Sequence, residues 1–333
     1  MSFEVALFGA GAWGTALAVH LAPRMRVALW ARDAAHATLL ASARENARYL
    51  PGVALPRALT VTSDLAAASD AATLIVATPV SALIDVADRL AAAGAHAPLA
   101  WLSKGFVDAP SLPAGVGLAH QVLAARWRSP VGVVSGPSFA EEVARGLPTA
   151  LVVAATDAAF ARELAGRLRG TTLRAYDTAD LAGVEAGGAI KNVLAIAAGA
   201  CDGLSFGQNA RAALITRGLA EATRLAAAMG GDPRTLMGLA GLGDLVLTCT
   251  GDLSRNRRVG LALARGEPLS AILASLGHVA EGVYAARSAR ALALHHGVDM
   301  PIVEAVYRVL YEELPPRRAV EALLAREPKS ETA

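Results

Sequence analysis

The sequence predicts a doubly wound α/β domain with a mostly parallel sheet, followed by an all-α helical domain. Short apolar runs alternate with helical segments over the first 178 residues, which is the pattern of a parallel sheet covered by helices on both faces. The first of these runs leads through a glycine-rich turn into a helix. Beyond Asp180 the patterns are helical only. We therefore expect one domain over residues 1–179 and a second over residues 180–333.

The composition indicates a globular protein that needs no disulfide or metal. Its 333 residues suffice for two domains, and they are 54% hydrophobic but only 5% aromatic. There is no apolar run of membrane-spanning length, and the amino terminus enters a strand pattern without a basic leader, so we expect a cytoplasmic protein. A formal net charge of +2 gives no field that would recruit nucleic acid. Cys201 and Cys249 lie in apolar surroundings and are expected to be free, buried thiols.

The glycine-rich turn GAGAWG follows the apolar run at residues 4–8 and opens a helical pattern that continues to Leu21. Gly9, Gly11 and Gly14 permit a tight turn and a close backbone approach. The free N–H groups of the helix start can bind a pyrophosphate. Strand, glycine turn and helix together predict a Rossmann-type dinucleotide-binding site.

The end of the second strand, at residues 26–30, bears on which dinucleotide is bound. An NAD-selective site usually has a carboxylate there for the ribose hydroxyls, whereas a guanidinium can bind a 2′-phosphate. Arg32 therefore favours NADPH, while the adjacent Asp33 leaves NADH open.

Further strands are predicted at residues 59–62, 72–78, 99–102, 131–134, 150–154 and 172–176. Ligands of such sheets bind beyond the carboxyl ends of the strands, so Lys104 is placed to reach a phosphate or the cofactor. Ser138 and Glu141 fit a capping box, which would give Ser138 a purely structural role. The helix start after Gly136 could also bind an anion.

The second half is predicted to be helical throughout. Asn209 is expected to cap a long helix that continues to about Met229, and Asp232-Pro233 reads as a cap and a first-turn proline. Later helices are predicted at residues 256–264, 282–295, 302–312 and 316–325.

The stretch GVEAGGAIKNVLAIAAG, residues 183–199, has an unusual row of small residues. Residues four apart in it are Gly183, Gly187, Lys191, Ala195 and Gly199. Glycine costs helix stability, so this row suggests that another backbone comes close to it. Lys191 is the candidate reacting group; the alternative is an exposed lysine on a helix that packs elsewhere.

Two polar clusters follow in the helical half. Asp244 is an acid framed by glycine and apolar residues. In Ser254-Arg255-Asn256-Arg257-Arg258, three guanidiniums crowd one helix start. We interpret the second cluster as an oxyanion site, because Arg255 can bind two phosphate oxygens at once; the alternative is a solvated basic face.

These motifs occur in the order found in the bacterial NAD(P)-dependent glycerol-3-phosphate dehydrogenases, a family that the chain closely resembles over nearly its whole length. The resemblance rests on GAGAWGTALA (9–18), SKG (103–105), SGPSFAEE (135–142), GGAIKNVLAIAAG (187–199), NARAALITRGLAE (209–221), AGLGDLVLTCT (240–250), SRNRR (254–258) and VAEG (279–282). It implies a Rossmann domain, a helical substrate domain and a homodimer. It also implies reversible reduction of dihydroxyacetone phosphate to sn-glycerol 3-phosphate for phospholipid synthesis.

By position, the resemblance implies that Lys191 is the catalytic lysine and that Asp244 lies beside it. The residues implied around the substrate are Lys104, Gly136, Ser138, Lys191, Asn192, Asp244, Thr248, Ser254, Arg255 and Asn256. Those implied against the cofactor are Gly9, Gly11, Ala12, Trp13, Gly14, Arg32, Lys104, Ala140, Arg255, Val279 and Glu281. Ala12 stands where many members have serine, and Ser205 stands where glycine is common.

Hydride transfer to a carbonyl carbon develops negative charge on its oxygen, so the reaction needs a positioned proton donor. Lys191 is the candidate: burial would lower its pKa, and Asp244 would oppose that shift. One alternative is a 6-phosphogluconate or β-hydroxyacid type dehydrogenase, but those enzymes pair the lysine with an asparagine three or four residues later. Here Asn192 is immediately adjacent. The other alternative is a non-catalytic NADPH sensor, which would need neither Lys191, Asp244 nor Arg255.

Overall fold

The computed structural model describes residues 2–276 and 280–327. Its strands are β1 (Val5–Phe8), β2 (Val27–Trp30), β3 (Glu45–Asn46), β4 (Leu50–Ala54), β5 (Thr60–Thr62), β6 (Thr73–Val76), β7 (Leu99–Trp101), β8 (Val107–Asp108), β9 (Val116–Gly117), β10 (Val131–Ser135), β11 (Thr149–Ala155) and β12 (Leu173–Thr178). Its helices are α1 (Ala12–Leu21), α2 (Ala34–Ala43), α3 (Leu65–Ser69), α4 (Leu83–Ala92), α5 (Ala119–Arg126), α6 (Ala140–Ala144), α7 (Ala158–Leu168), α8 (Leu181–Gly203), α9 (Gly207–Ala228), α10 (Pro233–Leu236), α11 (Asp244–Thr250), α12 (Arg255–Ala264), α13 (Leu269–Leu276), α14 (Glu281–His296), α15 (Pro301–Tyr311) and α16 (Pro316–Leu324). A 3-10 turn, Val80–Ala82, precedes α4, and a π-helical turn, Leu239–Gly243, precedes α11.

Eight strands form one sheet in the order β12-β11-β10-β7-β6-β1-β2-β5. Every neighbouring pair is parallel except β10 and β11, which are antiparallel. Strands β1, β2 and β6 are buried along their whole length, as expected of a sheet between two layers of helices. The predicted α/β fold is confirmed, and each predicted strand is present. The strand order reverses between β1 and β6, which is where such sheets bind ligands.

Two short hairpins were not predicted. One pairs β3 with β4, and the other pairs β8 with β9. Strands β3, β8 and β9 have two residues each, too few to show a period of two in the sequence. The β3–β4 hairpin bears on the site described below, because Asn46 of β3 bonds the Ala10 carbonyl in the glycine-rich turn.

Helix α8 is the core of the helical half. By length and hydropathy it could cross a membrane, but 94% of its most apolar window is buried inside the protein. The bent pair of segments 233–250 and 255–264, with 47° between them, passes the same test jointly. Helix α8 packs against α9, α11, α12 and α14. Its apolar surface is therefore covered by the protein's own helices.

The small residues of α8 lie where other backbones approach, as the row predicted. A Cβ on Gly199 would lie 2.0 Å from the carbonyl oxygen of Arg257 in α12. In return, a Cβ on Gly260 of α12 would lie 2.0 Å from the carbonyl oxygen of Ile196. Farther up the helix, a Cβ on Gly187 would lie 2.7 Å from the carbonyl oxygen of Ala240. Helices α8 and α12 thus touch backbone to backbone.

The starts of two helices test the capping predictions. Helix α9 begins at Gly207, after Phe206, so the prediction that Asn209 caps it was wrong. Asp232 does cap α10, with Pro233 in its first turn, as predicted. Cys201 and Cys249 are free and buried, also as predicted.

Ser205 has a left-handed backbone, with φ of +60°, just beyond the end of α8. A side chain with a Cβ pays about 1 kcal/mol for this conformation, which explains why glycine suits the position. We expect Ser205→Gly to raise the free energy of unfolding by about 1 kcal/mol in chemical denaturation. The control is Ser288→Gly in the middle of α14, which should lower it by about 0.5 kcal/mol. Equal effects of the two changes would contradict the backbone explanation.

Candidate active site

The glycine-rich turn lies at the crevice between β1 and β6. Gly9 has φ of +129°, and a Cβ there would lie 2.7 Å from the Ala77 carbonyl oxygen. A Cβ on Gly14 would lie 2.0 Å from the Gly9 carbonyl oxygen, whereas the space around Gly11 is open. No side chain caps the first N–H groups of α1. The turn therefore fits a bound pyrophosphate, which those N–H groups would hold.

Two buried polar atoms near this turn, Trp13 Nε1 and Thr78 Oγ1, have no hydrogen-bond partner in the part of the chain that the structure describes. Leaving such a group unpaired costs about 1–3 kcal/mol, so both fit a site that a polar ligand completes. Trp13 follows Ala12 at the start of α1, and Ala140 begins α6, which packs against α1. Three of the residues expected at the cofactor thus lie together.

Arg32 and Asp33 follow β2, and both are exposed. One Asp33 carboxylate oxygen accepts the N–H of His36 at 3.1 Å and so caps α2. The backbone N–H groups of His36 and Ala35 hold the pKa of Asp33 below its ordinary value. Asp33 is therefore engaged as a helix cap. Among the described residues, Arg32 makes no ion pair within 4.0 Å.

Asp244 joins two lysines from different parts of the chain. Lys191 Nζ donates to Asp244 Oδ1 at 2.6 Å, and Lys104 Nζ donates to Asp244 Oδ2 at 2.7 Å. Lys191 also donates to Thr248 Oγ1 at 3.0 Å, and Lys104 donates to the Gly136 carbonyl at 2.8 Å. Lys191 is 8% exposed and Asp244 1%. The alternative of an exposed Lys191 is therefore wrong.

Burial lowers the pKa of Lys191 from 10.5 to about 8. The Asp244 carboxylate opposes this shift, and the positive charge of Lys104 adds to it. The sequence could not decide between burial and the carboxylate; in the structure burial prevails. An amine with a pKa near 8 can both give and take a proton close to neutral pH.

Asn192 and Asn256 form a buried link between three helices. Asn192 donates to the Lys104 carbonyl at 3.2 Å, and Asn256 Nδ2 donates to Asn192 Oδ1 at 2.9 Å. Asn256 Oδ1 accepts the N–H of Gly282 in α14 at 2.9 Å. The side-chain oxygen of Asn256 and one of its amide hydrogens are therefore hydrogen-bonded within the protein. Nothing in the residue pattern indicated this internal bonding.

The basic cluster at the start of α12 divides into separate roles. Ser254 caps α12 by accepting the N–H of Arg257 at 3.2 Å. The Arg257 guanidinium donates to Asp202 at 2.8 and 3.0 Å, and Arg258 donates to a backbone carbonyl. Within the described ranges of the chain, Arg255 makes no hydrogen bond or ion pair with its side chain, and burial lowers its pKa while the charge of Glu281 opposes that shift. Of the three guanidiniums, only that of Arg255 therefore stays a candidate for the predicted oxyanion site.

Glu281 connects the helical half to the sheet domain. It accepts the N–H of Val80 at 3.3 Å, and a Cβ on Gly105 would lie 3.2 Å from its Oε2. Burial raises the pKa of Glu281, which the Val80 N–H and the nearby Arg255 oppose. Arg255 remains solvent-exposed although protein surrounds it, as at the mouth of a cleft. Val279, also expected at the cofactor, lies outside the described residues.

Ser138 does not cap a helix. Helix α6 begins at Ala140 with Phe139 as its cap residue, and no side chain caps it. Ser138 Oγ instead donates to the carbonyl oxygen of Gly136 at 3.1 Å, the same oxygen that accepts Lys104. The capping-box prediction was wrong because the chain turns at Gly136, where φ is +123°. Ser138 is thus held beside Lys104.

One buried carboxylate of α8, that of Glu185, was not singled out from the sequence. Glu185 is 5% exposed, and its carboxylate accepts the N–H of His120 at 3.3 Å and bonds the His120 ring nitrogen Nδ1. His120 is in the first turn of α5. The pair ties α8 to the sheet domain. In the sequence Glu185 showed only as a charge interrupting an apolar run, so nothing indicated its partner.

The glycine turn fits a pyrophosphate, and the helical half holds a buried amine of lowered pKa. Together these features are typical of an oxidoreductase that uses a dinucleotide. Comparisons with known proteins specify it further. The family described as NAD-dependent glycerol-3-phosphate dehydrogenase, N-terminus, matches residues 4–161, and its C-terminal counterpart matches residues 180–321.

The relatives agree with these matches over their full length. The chain is 56% identical to the glycerol-3-phosphate dehydrogenase [NAD(P)+] of Aromatoleum aromaticum, covering 98% of this chain and 100% of the relative. It is 55% identical to that of Methylibium petroleiphilum, covering 98% of each. A crystal structure of glycerol-3-phosphate dehydrogenase from Coxiella burnetii is 42% identical with a TM-score of 0.92, covering 98% of this chain and 99% of that one. The chain belongs to the NAD-dependent glycerol-3-phosphate dehydrogenase family.

Proposed function

We propose that the protein interconverts dihydroxyacetone phosphate and sn-glycerol 3-phosphate, with Lys191 as the proton donor and acceptor at the C2 oxygen. The observation that carries the assignment is the buried Lys191 amine, 2.6 Å from Asp244 and with a pKa of about 8. When bound, the nicotinamide dinucleotide supplies or accepts the hydride. The residues expected to hold it are those of the glycine turn with Trp13, Arg32 and Glu281.

The chain's own contribution is to hold one proton in position. Asp244 and Thr248 fix the Lys191 amine from two sides, which leaves one direction for the substrate oxygen. In the reducing direction the Lys191 ammonium neutralises the charge that develops on the C2 oxygen by giving it a proton. In the oxidising direction the neutral amine removes the proton from the C2 hydroxyl.

Lys104 couples the pKa of the Lys191 amine to the binding of the substrate phosphate. Both ammoniums share the Asp244 carboxylate, and the charge of Lys104 lowers the pKa of Lys191. A phosphate that draws the Lys104 ammonium away would relieve this repulsion and favour the protonated Lys191. Arg255 and the free N–H groups at the start of α12 are the other groups proposed to hold the phosphate, with Asn256 supporting them.

The test is an assay of NADPH oxidation by the purified protein with dihydroxyacetone phosphate, run in parallel with NADH. Turnover with this substrate is the expected result. In the opposite direction, we expect reduction of NADP+ with sn-glycerol 3-phosphate but not with 6-phosphogluconate or a β-hydroxyacid. Binding of NADPH without turnover in either direction would instead indicate the sensor. The relatives support neither alternative better than the dehydrogenase.

The two directions of the reaction should show opposite pH dependence. Below pH of about 8 Lys191 is protonated, which serves reduction of the ketone; above it the amine is neutral, which serves oxidation of the alcohol. We expect the reduction rate to fall, and the oxidation rate to rise, as the pH passes roughly 8. Initial rates at saturating substrate in both directions measure this. Parallel profiles in the two directions would show that another group titrates.

Three further assignments complete the proposal. The domain boundary is placed between β12, which ends at Thr178, and α8, which Asp180 caps. A cytoplasmic location accords with supply of a precursor to phospholipid synthesis.

A homodimer is supported by α14, where the exposed Tyr284, Arg287 and Leu294 share one helix face. Light scattering of the wild type and of Tyr284→Ala, Leu294→Ala tests this; a monomeric wild type would contradict it.

A further inference from the structure

We propose that Arg48, at the tip of the β3–β4 hairpin, is a second guanidinium for the adenosine 2′-phosphate and so determines selectivity for NADPH over NADH. The inference rests on the dinucleotide site of the proposed function and adds to it a residue that none of the motifs contains. Its basis is the position of the hairpin, the charge balance around Asp33, and the lack of an ion pair at Arg48.

Asn46 fastens the hairpin to the glycine-rich turn. The residue is fully buried, and its Nδ2 donates to the Ala10 carbonyl at 3.0 Å and to Thr15 Oγ1 at 2.7 Å. Its Oδ1 accepts the N–H of Tyr49 at 3.3 Å. Both amide hydrogens and the oxygen are thus used. The hairpin therefore has a fixed position beside the turn proposed to bind the pyrophosphate.

The same contacts aim the hairpin tip at the start of α2. The Tyr49 N–H also donates to the Asn46 carbonyl at 3.2 Å, which closes a tight turn with Arg48 at its exposed tip. The Tyr49 ring meets the His36 ring edge-on, with centroids 5.7 Å apart, in the first turn of α2. The Arg48 guanidinium lies 5.0 Å from the centre of the Tyr49 ring. The tip therefore stands next to Asp33.

The net charge around Asp33 explains why Arg32 alone would not suffice to bind a 2′-phosphate. Arg32 and Asp33 are adjacent and cancel, and the Asp33 carboxylate would repel a 2′-phosphate. Arg48 is close enough to contribute to the lowered pKa of Asp33, together with His36. With Arg48 the local balance of Arg32, Asp33 and Arg48 is one positive charge; without it the balance is zero. Glu45, the remaining charge of the hairpin, accepts the N–H of Gly52.

Arg48 is also chemically available. Among the residues that the structure describes, it forms neither a hydrogen bond nor an ion pair, and its guanidinium contacts the Tyr49 ring. A guanidinium presents several N–H donors in a planar fork that fits a phosphate. Arg32 and Arg48 could then bind the 2′-phosphate from two sides.

The test measures binding of adenosine fragments by calorimetry, which does not depend on turnover. The ligands are 2′,5′-ADP, which carries the 2′-phosphate, and 5′-ADP, which lacks it. We expect Arg48→Ala to weaken binding of 2′,5′-ADP about tenfold and to leave binding of 5′-ADP unchanged. Arg48→Lys should restore part of the loss, because it keeps the charge but not the fork. The matched control is Arg162→Ala, an exposed arginine on α7.

Equal losses for both fragments in Arg48→Ala, or no loss for either, would overturn the inference. Circular dichroism of the variant checks its fold; because Arg48 is at an exposed turn, we expect the spectrum of the wild type. A protein that binds the fragments as expected but reduces no ketone would contradict the proposed function and leave this inference standing.

Discussion

Replacement of Lys191 by alanine is expected to reduce kcat in both directions by about a thousandfold or more. The variant loses the group that gives and takes the proton, while the glycine-rich turn is left as it is, because Lys191 bonds Asp244 and Thr248 and not that turn. Binding of NADPH, followed by its fluorescence, should stay within about twofold of the wild type. Full activity in this variant would contradict the assignment of Lys191 as the proton donor and acceptor.

Lys191→Arg is the informative companion. It retains a positive charge next to Asp244, but its guanidinium does not release a proton near neutral pH. If proton transfer is the role of Lys191, this variant is as inactive as the alanine. Recovery of most of the activity would mean that the site needs only a positive charge, and that proton transfer occurs elsewhere.

Gly199→Ala is expected to lower the free energy of unfolding by about 3 kcal/mol or more. The added methyl would lie 2.0 Å from the Arg257 carbonyl oxygen, and two packed helix backbones cannot both move aside cheaply. Because α12 carries Arg255 and Asn256, activity should fall as well. Denaturant unfolding and kcat/KM measure the two effects.

The matched control is Gly166→Ala in α7, where nothing lies within 4 Å of the added Cβ. There the substitution should leave stability unchanged or raise it by about 0.5 to 1 kcal/mol, since alanine is the better helix former. If Gly166→Ala lowers the free energy of unfolding as much as Gly199→Ala does, the crossing of α8 and α12 is not the cause of the destabilisation.

The sheet domain could be predicted from the sequence because its strands are buried on both faces and appear as continuous apolar runs between helices. The hairpins could not, since strands of two residues have no periodicity. The start of α9 was misplaced for a related reason: Ser205 has a left-handed backbone, which set the helix to begin at Gly207 and left Asn209 inside it. Such local backbone choices depend on tertiary packing.

At the site, the sequence indicated which polar side chains are candidates for binding or catalysis. It did not indicate which of these side chains are hydrogen-bonded to other residues of the protein. Lys191 and Asp244 stood out from their apolar neighbours. Their pairing across 53 positions, and that of Lys104 with Asp244 across 140, is a property of the fold alone. The same holds for Arg257, whose guanidinium belongs to Asp202 and not to the substrate. Composition does not distinguish a structural arginine from a binding one.

The crossing of α8 and α12 has a consequence for substrate choice. Gly199 and Gly260 join α8, which carries Lys191, to α12, which carries Arg255, without an intervening layer of side chains. The spacing of the two backbones that carry Lys191 and Arg255 is therefore fixed, and only the two side chains can adjust the gap between amine and guanidinium. Given the roles proposed for these residues, we expect a ketone with one more carbon between carbonyl and phosphate to be reduced more slowly than dihydroxyacetone phosphate.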